Sequence, residues 1–168
     1  MTTGKVKLRL ATTSDVPNMH LGLSSLAHDL GHAEAFQGTF DSLLKHGFGE
    51  LPQFHTAIVE WAGEFAGLVI FFPYYSTMRN CPGVYIQDLW VASNHRQHGL
   101  GKDLLSFVAQ TSSVLWGAQF MILVADSHNT AAQRLYHRIG FNTRSEEENM
   151  VLDPQAFETL AKGTHDAQ

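Results

Sequence analysis

A strand, a glycine-containing turn and a helix follow one another between residues 84 and 110, and this unit constrains the fold more than any other stretch. Residues Val84 to Val91 are rich in β-branched and aromatic side chains, which is typical of a strand. From Gly99 onward apolar residues recur at helical spacing, so a helix is predicted to begin near Gly99. Such a turn aims several unpaired backbone amides at one point beside the positive end of a helix. The unit therefore predicts an anion site, most often a phosphate site.

Two glycines, Gly99 and Gly101, stand where the turn becomes the helix, and Arg96 precedes the first of them by three residues. A side chain at either glycine would hold a ligand away from the amides, so the spacing suits close approach of a pyrophosphate. The stretch is not a P-loop, because it lacks the four-residue gap and the Ser or Thr after Lys102. It also lacks the G-x-G-x-x-G of dinucleotide-binding folds. Taken alone, the pair is equally compatible with an ordinary turn that starts a helix.

A second block lies downstream, where Asn129 can cap a helix that runs to about Ile139 and ends at Gly140. It reads N-x-x-A-x-x-L-Y-x-x-x-G-F, and it follows the R-x-x-G-x-G block that begins at Arg96. Together, in this order, the two blocks resemble the signatures of the GCN5-related N-acetyltransferases, the GNAT superfamily. The resemblance covers roughly residues 5–162.

Two further stretches, Leu43 to Glu50 and Tyr85 to Leu89, resemble the diamine (spermidine/spermine) and thialysine acetyltransferases within that superfamily. The subfamily typically reads Y-x-E-D-L in the second stretch, whereas this chain has Gln87 in place of the glutamate. Glutamine cannot accept a proton at neutral pH and can only orient a water or an amine. Asp88 comes next, but alternation along a strand puts it on the opposite face from Gln87 unless a bulge intervenes.

The resemblance implies an α/β protein with the GNAT fold, in which a mixed central sheet of about six or seven strands is flanked by helices and its central strands splay apart to hold acetyl-CoA. Hydrophobic periodicity predicts strands over residues 6–10, 55–61, 64–74, 84–91, 120–125, 141–143 and 150–152. It predicts helices over 19–30, 40–46, from 99 onward, 129–139 and 154–160, with a loop over 73–83. The length of 168 residues suits one domain, so residues 1–168 are expected to form a single N-acetyltransferase domain.

The resemblance also implies where acetyl-CoA, the co-substrate, would lie. The pantetheine arm would pair with the backbone of the central strand and the pyrophosphate with the amides of residues 97–102. The implied cofactor-binding residues are Leu89, Trp90, Val91, Arg96, Gln97, His98, Gly99, Leu100, Gly101, Lys102, Asn129 and Tyr136. Arg96 and Lys102 either add positive charge there or are solvated surface residues. Tyr136 is the implied general acid that protonates the leaving thiolate; the alternative is a core tyrosine with its hydroxyl bonded elsewhere.

The implied acceptor is an amine. A primary alkyl amine has a pKa of roughly 10.4, so the enzyme must remove a proton before the nitrogen can attack. Gln87 and Asp88 are the catalytic candidates near that amine, and His55 or the histidines of residues 28–32 are alternative bases or water relays. The implied substrate-facing residues are His28, Asp29, His32 and Glu34. So few acidic residues favour a smaller amine, an amino acid side chain or a peptide over a long polyamine.

The chain is therefore predicted to be an acetyl-CoA-dependent N-acetyltransferase that acts on a primary amine of a small molecule, polyamine-, diamine- or thialysine-like. Two alternatives stay open. One is a module that binds acetyl-CoA or CoA without turnover, which Gln87 favours and the intact R-x-x-G-x-G and Tyr136 disfavour. The other is a protein or peptide N-acetyltransferase.

Composition limits the remaining classes. A net charge of −5 gives no general attraction to nucleic acid or to an anionic membrane. No apolar run reaches membrane-spanning length, and the first ten residues do not read as a signal peptide. A single cysteine, Cys81, excludes an internal disulfide framework and suits the cytoplasm. Ten histidines are scattered along the chain and none belongs to an H-E-x-x-H motif, so no metal is expected. The resemblance implies a homodimer.

Overall fold

One mixed sheet of five strands forms the centre of the computed structural model, which describes residues 5–144, 146 and 148–163. The strand order along the sheet is β1-β2-β3-β4-β5. The first four strands pair antiparallel, and the fifth pairs parallel to β4. The strands are β1 (Val6–Leu10), β2 (His55–Trp61), β3 (Glu64–Ser76), β4 (Cys81–Val91) and β5 (Met121–Leu123).

Five α-helices accompany the sheet: α1 (Val16–Asp29), α2 (Phe40–Phe48), α3 (Leu100–Trp116), α4 (Thr130–Ile139) and α5 (Pro154–Lys162). Local sequence explains several of their ends. Thr39 caps α2 by accepting a hydrogen bond from the Ser42 amide at 3.1 Å, and Gly140 ends α4 with a left-handed φ of 114°. Short 3₁₀ turns precede α1, α2 and α3.

Helices cover both faces of the sheet. Successive residues of a strand point to opposite sides, so a strand that is apolar throughout needs a covering layer on each side. On one face α3 packs over the strands, in a cluster that contains Ala57, Val59, Val69, Phe71, Val84, Ile86, Leu104, Leu105 and Val108. On the other face α1 and α2 pack over Ile58, Leu68 and Ile70 through Val16, Met19 and Leu43. The predicted α/β class and mixed sheet are confirmed.

The central strands diverge after a short stretch of pairing. β4 and β5 are in register only where Val84–Ile86 meets Met121–Leu123. β4 then continues to Val91, and its last five residues have no β5 partner in the register. A gap therefore opens beside the second half of β4, as the splayed central strands of the prediction require.

The structure corrects the sequence-based boundaries in three places. The sheet has five strands among the described residues, not six or seven, because residues 141–143 and 150–152 pair with no strand there. The predicted loop over 73–83 is mostly a hairpin, since Pro73 to Ser76 pair with Cys81 to Val84. α1 begins at Val16 rather than at residue 19. Residues 1–4, 145, 147 and 164–168, which the predicted single domain includes, lie outside the described residues.

A polar network ties β1, β2 and the turn before α1 together. Arg9 forms two hydrogen bonds with the Asp15 carboxylate, at 2.7 and 2.8 Å, and its Nε donates to Glu60 at 2.9 Å. Asp15 is buried, yet the hydrogen bonds from Arg9 outweigh the effect of burial and lower its pKa to about 2. The ionised carboxylate is thus part of the folded structure and holds α1 in place.

Candidate active site

The turn between β4 and α3 has the geometry of an anion site. Gly99 takes a left-handed φ of 84°, and an added Cβ there would meet nothing within 4 Å. Glycine is needed here because of this backbone conformation, and not because a side chain would lack space. The first helical hydrogen bond runs from the Asp103 amide to the Gly99 carbonyl at 3.0 Å. The amides of residues 100–102 precede it and have no helical partner, so they are available to a ligand.

Gly101 has a packing role that the sequence did not reveal. A Cβ at this position would lie 3.1 Å from Cδ2 of Leu135, so α3 and α4 approach each other closely here. Close approach of two helices needs a small residue at the contact. The second glycine of the motif therefore brings α4, and with it Tyr136, next to the start of α3.

Arg96 pairs with Asp29 rather than extending freely from the turn. Its guanidinium forms an ion pair with the Asp29 carboxylate at the end of α1, and its Nε donates to the Val91 carbonyl at 2.8 Å. The Trp90 indole donates to the same carboxylate at 3.1 Å. Partial burial alone would raise the pKa of Asp29, but the hydrogen bonds from Arg96 and Trp90 outweigh it and hold that pKa below its usual range.

These three side chains line a cavity of about 370 Å³ between α1 and the end of β4. The sequence placed Arg96 and Trp90 with the cofactor and Asp29 with the acceptor, and the structure brings both groups together. The other lining residues are Ser24, Ser25, His28 and Ser93. A direct connection thus exists between the helix expected to flank the acceptor and the turn expected to hold pyrophosphate.

β4 contains a β-bulge at Gln87. Ile70 of β3 lies opposite Asp88 and Phe71 lies opposite Ile86, so Gln87 has no partner in the register. Because directly opposite residues share a face, Asp88 lies on the α1–α2 side with Ile70, whereas Ile86 lies on the α3 side with Phe71. Uninterrupted alternation would have placed Asp88 on the side of Ile86. The bulge therefore interrupts the regular alternation that was expected to place Gln87 and Asp88 on opposite faces of the strand.

A second cavity, of about 90 Å³, opens where β4 and β5 diverge. Gln87 and Asp88 line it from β4, and Asn129 and Tyr136 line it from the start and middle of α4. The remaining lining residues come from α1, β5, α4 and the segment after β5: Leu26, Leu30, Ile86, Leu89, Leu123, Val124, Ala125, Asp126 and Ala132. We call this the central cavity. It brings together all three catalytic candidates of the sequence.

Tyr136 is half-buried beside Phe141, with the ring centroids 5.6 Å apart. Burial raises the pKa of its phenol, so the hydroxyl keeps its proton at neutral pH. No hydrogen bond to this hydroxyl occurs within the described part of the chain. Tyr136 packs against the core as the alternative interpretation required, but its hydroxyl bonds to none of the described residues.

Asp88 is half-buried and has no hydrogen-bond or ion-pair partner among the described residues. Burial raises the pKa of its carboxyl above the ordinary aspartate value. Asn129 differs, because its side-chain oxygen caps α4 by accepting from the Ala132 amide at 3.1 Å. Gln87 is exposed in the bulge.

The other substrate candidates, His28, His32 and Glu34, differ in their position relative to the central cavity. His32 Nε2 lies 3.8 Å from Oδ2 of Asp126, a cavity residue that the sequence analysis missed although it follows β5. His28 lines the larger cavity instead, 3.9 Å from Asp29. Glu34 is exposed in a 3₁₀ turn and lines neither cavity.

Two histidines face away from both cavities. His55, an alternative base in the sequence analysis, stacks on Trp116 with ring centroids 5.6 Å apart, on the side of α3. Burial lowers the pKa of His55, which keeps it neutral. His98, a predicted cofactor residue, turns its ring towards Trp61 at 4.9 Å, so only its backbone remains to contact a ligand at the turn. Lys102 is exposed on the first turn of α3.

The described residues contain no group of three or more His, Cys, Asp or Glu side chains that could hold a metal ion. Within the same residues, no helix is long and apolar enough to cross a membrane.

Comparison with known proteins gives one family. The profile described as "Acetyltransferase (GNAT) family" matches residues 25–141. A thialysine N-ε-acetyltransferase of Mus musculus is 27% identical over 166 residues, covering 92% of this chain and 96% of the relative.

Solved structures support the same fold. An integron cassette protein from the mobile metagenome of V. cholerae superposes with a TM-score of 0.75 at 18% identity, covering 94% of this chain and 98% of the other. An aminoglycoside N-acetyltransferase in complex with CoA superposes with a TM-score of 0.65 at 17% identity, covering 89% and 94%. The chain belongs to the GNAT family, whose members use acetyl-CoA, and is an N-acetyltransferase.

Proposed function

We propose that this N-acetyltransferase moves the acetyl group of acetyl-CoA to a primary amine of a small molecule, with a diamine or a diamino acid such as thialysine as the favoured class. The observation that carries the proposal is the central cavity, where Asp88, Asp126 and Tyr136 converge. Among the residues that the structure describes, its lining contains two carboxylates and no Lys or Arg. Such a surface attracts an ammonium group and disfavours an anionic acceptor. The name of the mouse relative, a thialysine acetyltransferase, agrees with a cationic acceptor of this size.

The gap beside β4 fits the donor. The backbone of Leu89, Trp90 and Val91 has no β5 partner, so it can pair with the amide groups of a pantetheine arm as a neighbouring strand would. The amides from Gln97 to Lys102 would hold the pyrophosphate at the start of α3. Asn129 and Tyr136 lie at the inner end of this path. When bound, acetyl-CoA supplies the acetyl group as a thioester.

The side chains of the central cavity would then handle protons. Tyr136 holds a proton on Oη because burial raises its pKa, and it can donate that proton to a leaving sulfur. Gln87, which has a carbonyl oxygen and an amide group, can orient the acceptor nitrogen or a water but cannot deprotonate it. Asp88, a carboxylate that lines the same cavity, can accept the proton of the amine.

The test is thiol release from acetyl-CoA with a panel of amines: thialysine, lysine, putrescine, spermidine, an aminoglycoside and a lysine-containing peptide. We expect turnover with one or more of the small amines. Tyr136→Phe should lower kcat by roughly 10²-fold, because it removes the proton donor but keeps the ring. Tyr75→Phe is the matched control, since Tyr75 is exposed on β3, bonds to Asn80 and lines neither cavity. Turnover restricted to the peptide would contradict a small-molecule acceptor.

We also propose, from the resemblance alone, that residues 1–168 form one domain that works as a homodimer in the cytoplasm without a metal. Size-exclusion chromatography with light scattering tests the dimer, and activity after dialysis against a chelator tests the independence from metal.

A further inference from the structure

An aromatic surface lies on the sheet between the central cavity and the tip of the β3–β4 hairpin. Phe72 of β3 is directly opposite Tyr85 of β4, and their rings stack with centroids 4.9 Å apart and 16° between the ring planes. The adjacent pair in the register, Phe71 and Ile86, packs on the α3 side. Because successive residues of a strand alternate, the stacked pair lies on the α1–α2 side, which is also the side of Asp88.

Phe120 extends this surface by one more row. It comes just before β5, and an added Cβ at Gly83 of β4 would lie 2.5 Å from its ring. Since Gly83 and Tyr85 point to the same side of β4, the Phe120 ring also lies on the α1–α2 side. Tyr74 meets the Phe120 ring edge-on, with the centroids 6.0 Å apart. We call Phe72, Tyr74, Tyr85 and Phe120 the aromatic floor.

The aromatic floor is accessible to a ligand. Each of its four side chains keeps part of its surface exposed, and Tyr74 is 40% exposed. Among the described residues, the apolar cluster that α1 and α2 bury on this side of the sheet contains no member of the floor. The Tyr85 hydroxyl has no hydrogen-bond partner within the same residues.

A cation stands at the far end of the aromatic floor. The Arg79 guanidinium lies over the Phe120 ring, 5.0 Å from its centroid. Arg79 is exposed and forms no ion pair with any described residue. At the near end Asp88 lines the central cavity, about 10 Å along β4 from Tyr85. The floor therefore runs from a carboxylate to a guanidinium.

We propose that the aromatic floor and Arg79 bind the amino acid part of a diamino acid whose side-chain amine reacts in the central cavity. This proposal rests on the proposed function and narrows its acceptor class. The aliphatic chain lies across Phe72 and Tyr85, and the long, exposed side chain of Arg79 binds the α-carboxylate through charge-assisted hydrogen bonds. A diamine of the same length presents an ammonium group at this end, where Arg79 repels it. Arg79 thus selects thialysine or lysine over putrescine and spermidine.

Lysine and cadaverine are the matched acceptors for the test, because cadaverine is lysine without its carboxylate. The wild type should have the higher kcat/KM with lysine. Arg79→Gln should lower that value by about 10-fold, mainly by raising KM, and should not lower the value for cadaverine. Arg79→Glu should reverse the preference, because a carboxylate then faces the distal group. Arg138→Gln and Arg138→Glu are the matched controls, since Arg138 is exposed in the last turn of α4 and lines neither cavity.

Calorimetry on the protein saturated with CoA gives a readout that needs no turnover. Thialysine should bind about 10-fold more weakly to Arg79→Gln than to the wild type, whereas CoA should bind both proteins equally. Tyr85→Leu should weaken the binding of thialysine and cadaverine alike, by about 2- to 5-fold, because it removes the ring face but keeps an apolar side chain. Thermal unfolding shows that each variant is folded.

The outcomes separate this proposal from the proposed function. Absence of turnover with every amine would overturn the proposed function, whereas calorimetry would still judge Arg79. A wild-type preference for cadaverine, or an Arg79→Glu variant that still prefers lysine, would overturn the role of Arg79 and leave the acetyltransferase intact. If Arg79→Glu changed the molar mass in light scattering but not the acceptor preference, the floor would be an interface between two copies and the proposal would be wrong.

Discussion

The guanidinium of Arg96 pairs with the carboxylate of Asp29, and this contact joins the turn before α3 to the last residue of α1 across 67 positions of the chain. The Trp90 indole shares the same carboxylate. Because Arg96 also donates to the Val91 carbonyl, the pair fixes the path of the chain as it leaves β4. Arg96 is thus placed to shape the turn, whereas the backbone amides of residues 100–102 remain available to a ligand.

Replacement of Asp29 tests this positioning role. We expect Asp29→Asn to weaken CoA binding by about 3- to 10-fold, since both side chains are partly exposed and such pairs are worth little more than about 1 kcal/mol. Isothermal titration calorimetry with CoA measures the change, and Glu34→Gln, an exposed carboxylate that lines neither cavity, is the control. Tighter binding would show instead that Asp29 holds Arg96 away from the phosphates.

Gly99 and Gly63 allow backbone strain to be separated from ligand contact. Both have a left-handed φ, 84° and 89°, and neither has an atom within 4 Å of an added Cβ. Alanine at either position should cost about 1 to 2 kcal/mol of unfolding free energy, because the strain is the same. Only Gly99→Ala should also weaken CoA binding, since Gly63 lies in the hairpin between β2 and β3. Chemical denaturation measures the unfolding free energy of each variant, and calorimetry measures its affinity for CoA. Equal CoA affinities of Gly99→Ala and Gly63→Ala would contradict an anion site at the turn.

His55→Phe should leave the acetyl-transfer rate unchanged, because His55 stacks on Trp116 outside both cavities. Its effect should be on stability. Burial places the pKa of His55 in the folded protein below its unfolded value of 6.5, so the wild type loses stability as the pH falls below 6.5. The variant should lose less stability between pH 7 and pH 5 in thermal unfolding. A large fall in rate would return His55 to the list of bases.

Asp15 should make the fold sensitive to acid. Its pKa is about 2 in the folded protein against 3.8 for the free side chain, so its stabilising effect is complete above pH 4 and disappears as the pH falls towards 2. The shift corresponds to roughly 2 kcal/mol. Asp15→Asn should therefore be less stable than wild type at pH 7 but approach it near pH 2, as measured by urea unfolding. If the difference in unfolding free energy between Asp15→Asn and the wild type stayed constant from pH 7 to pH 2, the stabilising effect would not depend on ionisation of Asp15.

The sequence by itself determined the parts of this protein that depend on neighbouring residues. The turn at Gly99, the cap at Asn129 and the αL end at Gly140 each follow from backbone preferences of one or a few residues, and the structure confirms them. The family signatures lie in these same local segments, so recognition of the fold from sequence follows naturally.

Tertiary structure alone decided the remaining features. The bulge at Gln87 depends on how β4 registers against β3, and the Arg96–Asp29 pair depends on where α1 ends above the sheet. Segments 141–143 and 150–152 are predicted as strands from the sequence, but they pair with none of the described strands. Strand pairing and long-range ion pairs are set by contacts between distant segments, which periodicity along one segment does not encode. The face on which Asp88 lies, and with it the proposed chemistry, was for this reason visible only in the folded protein.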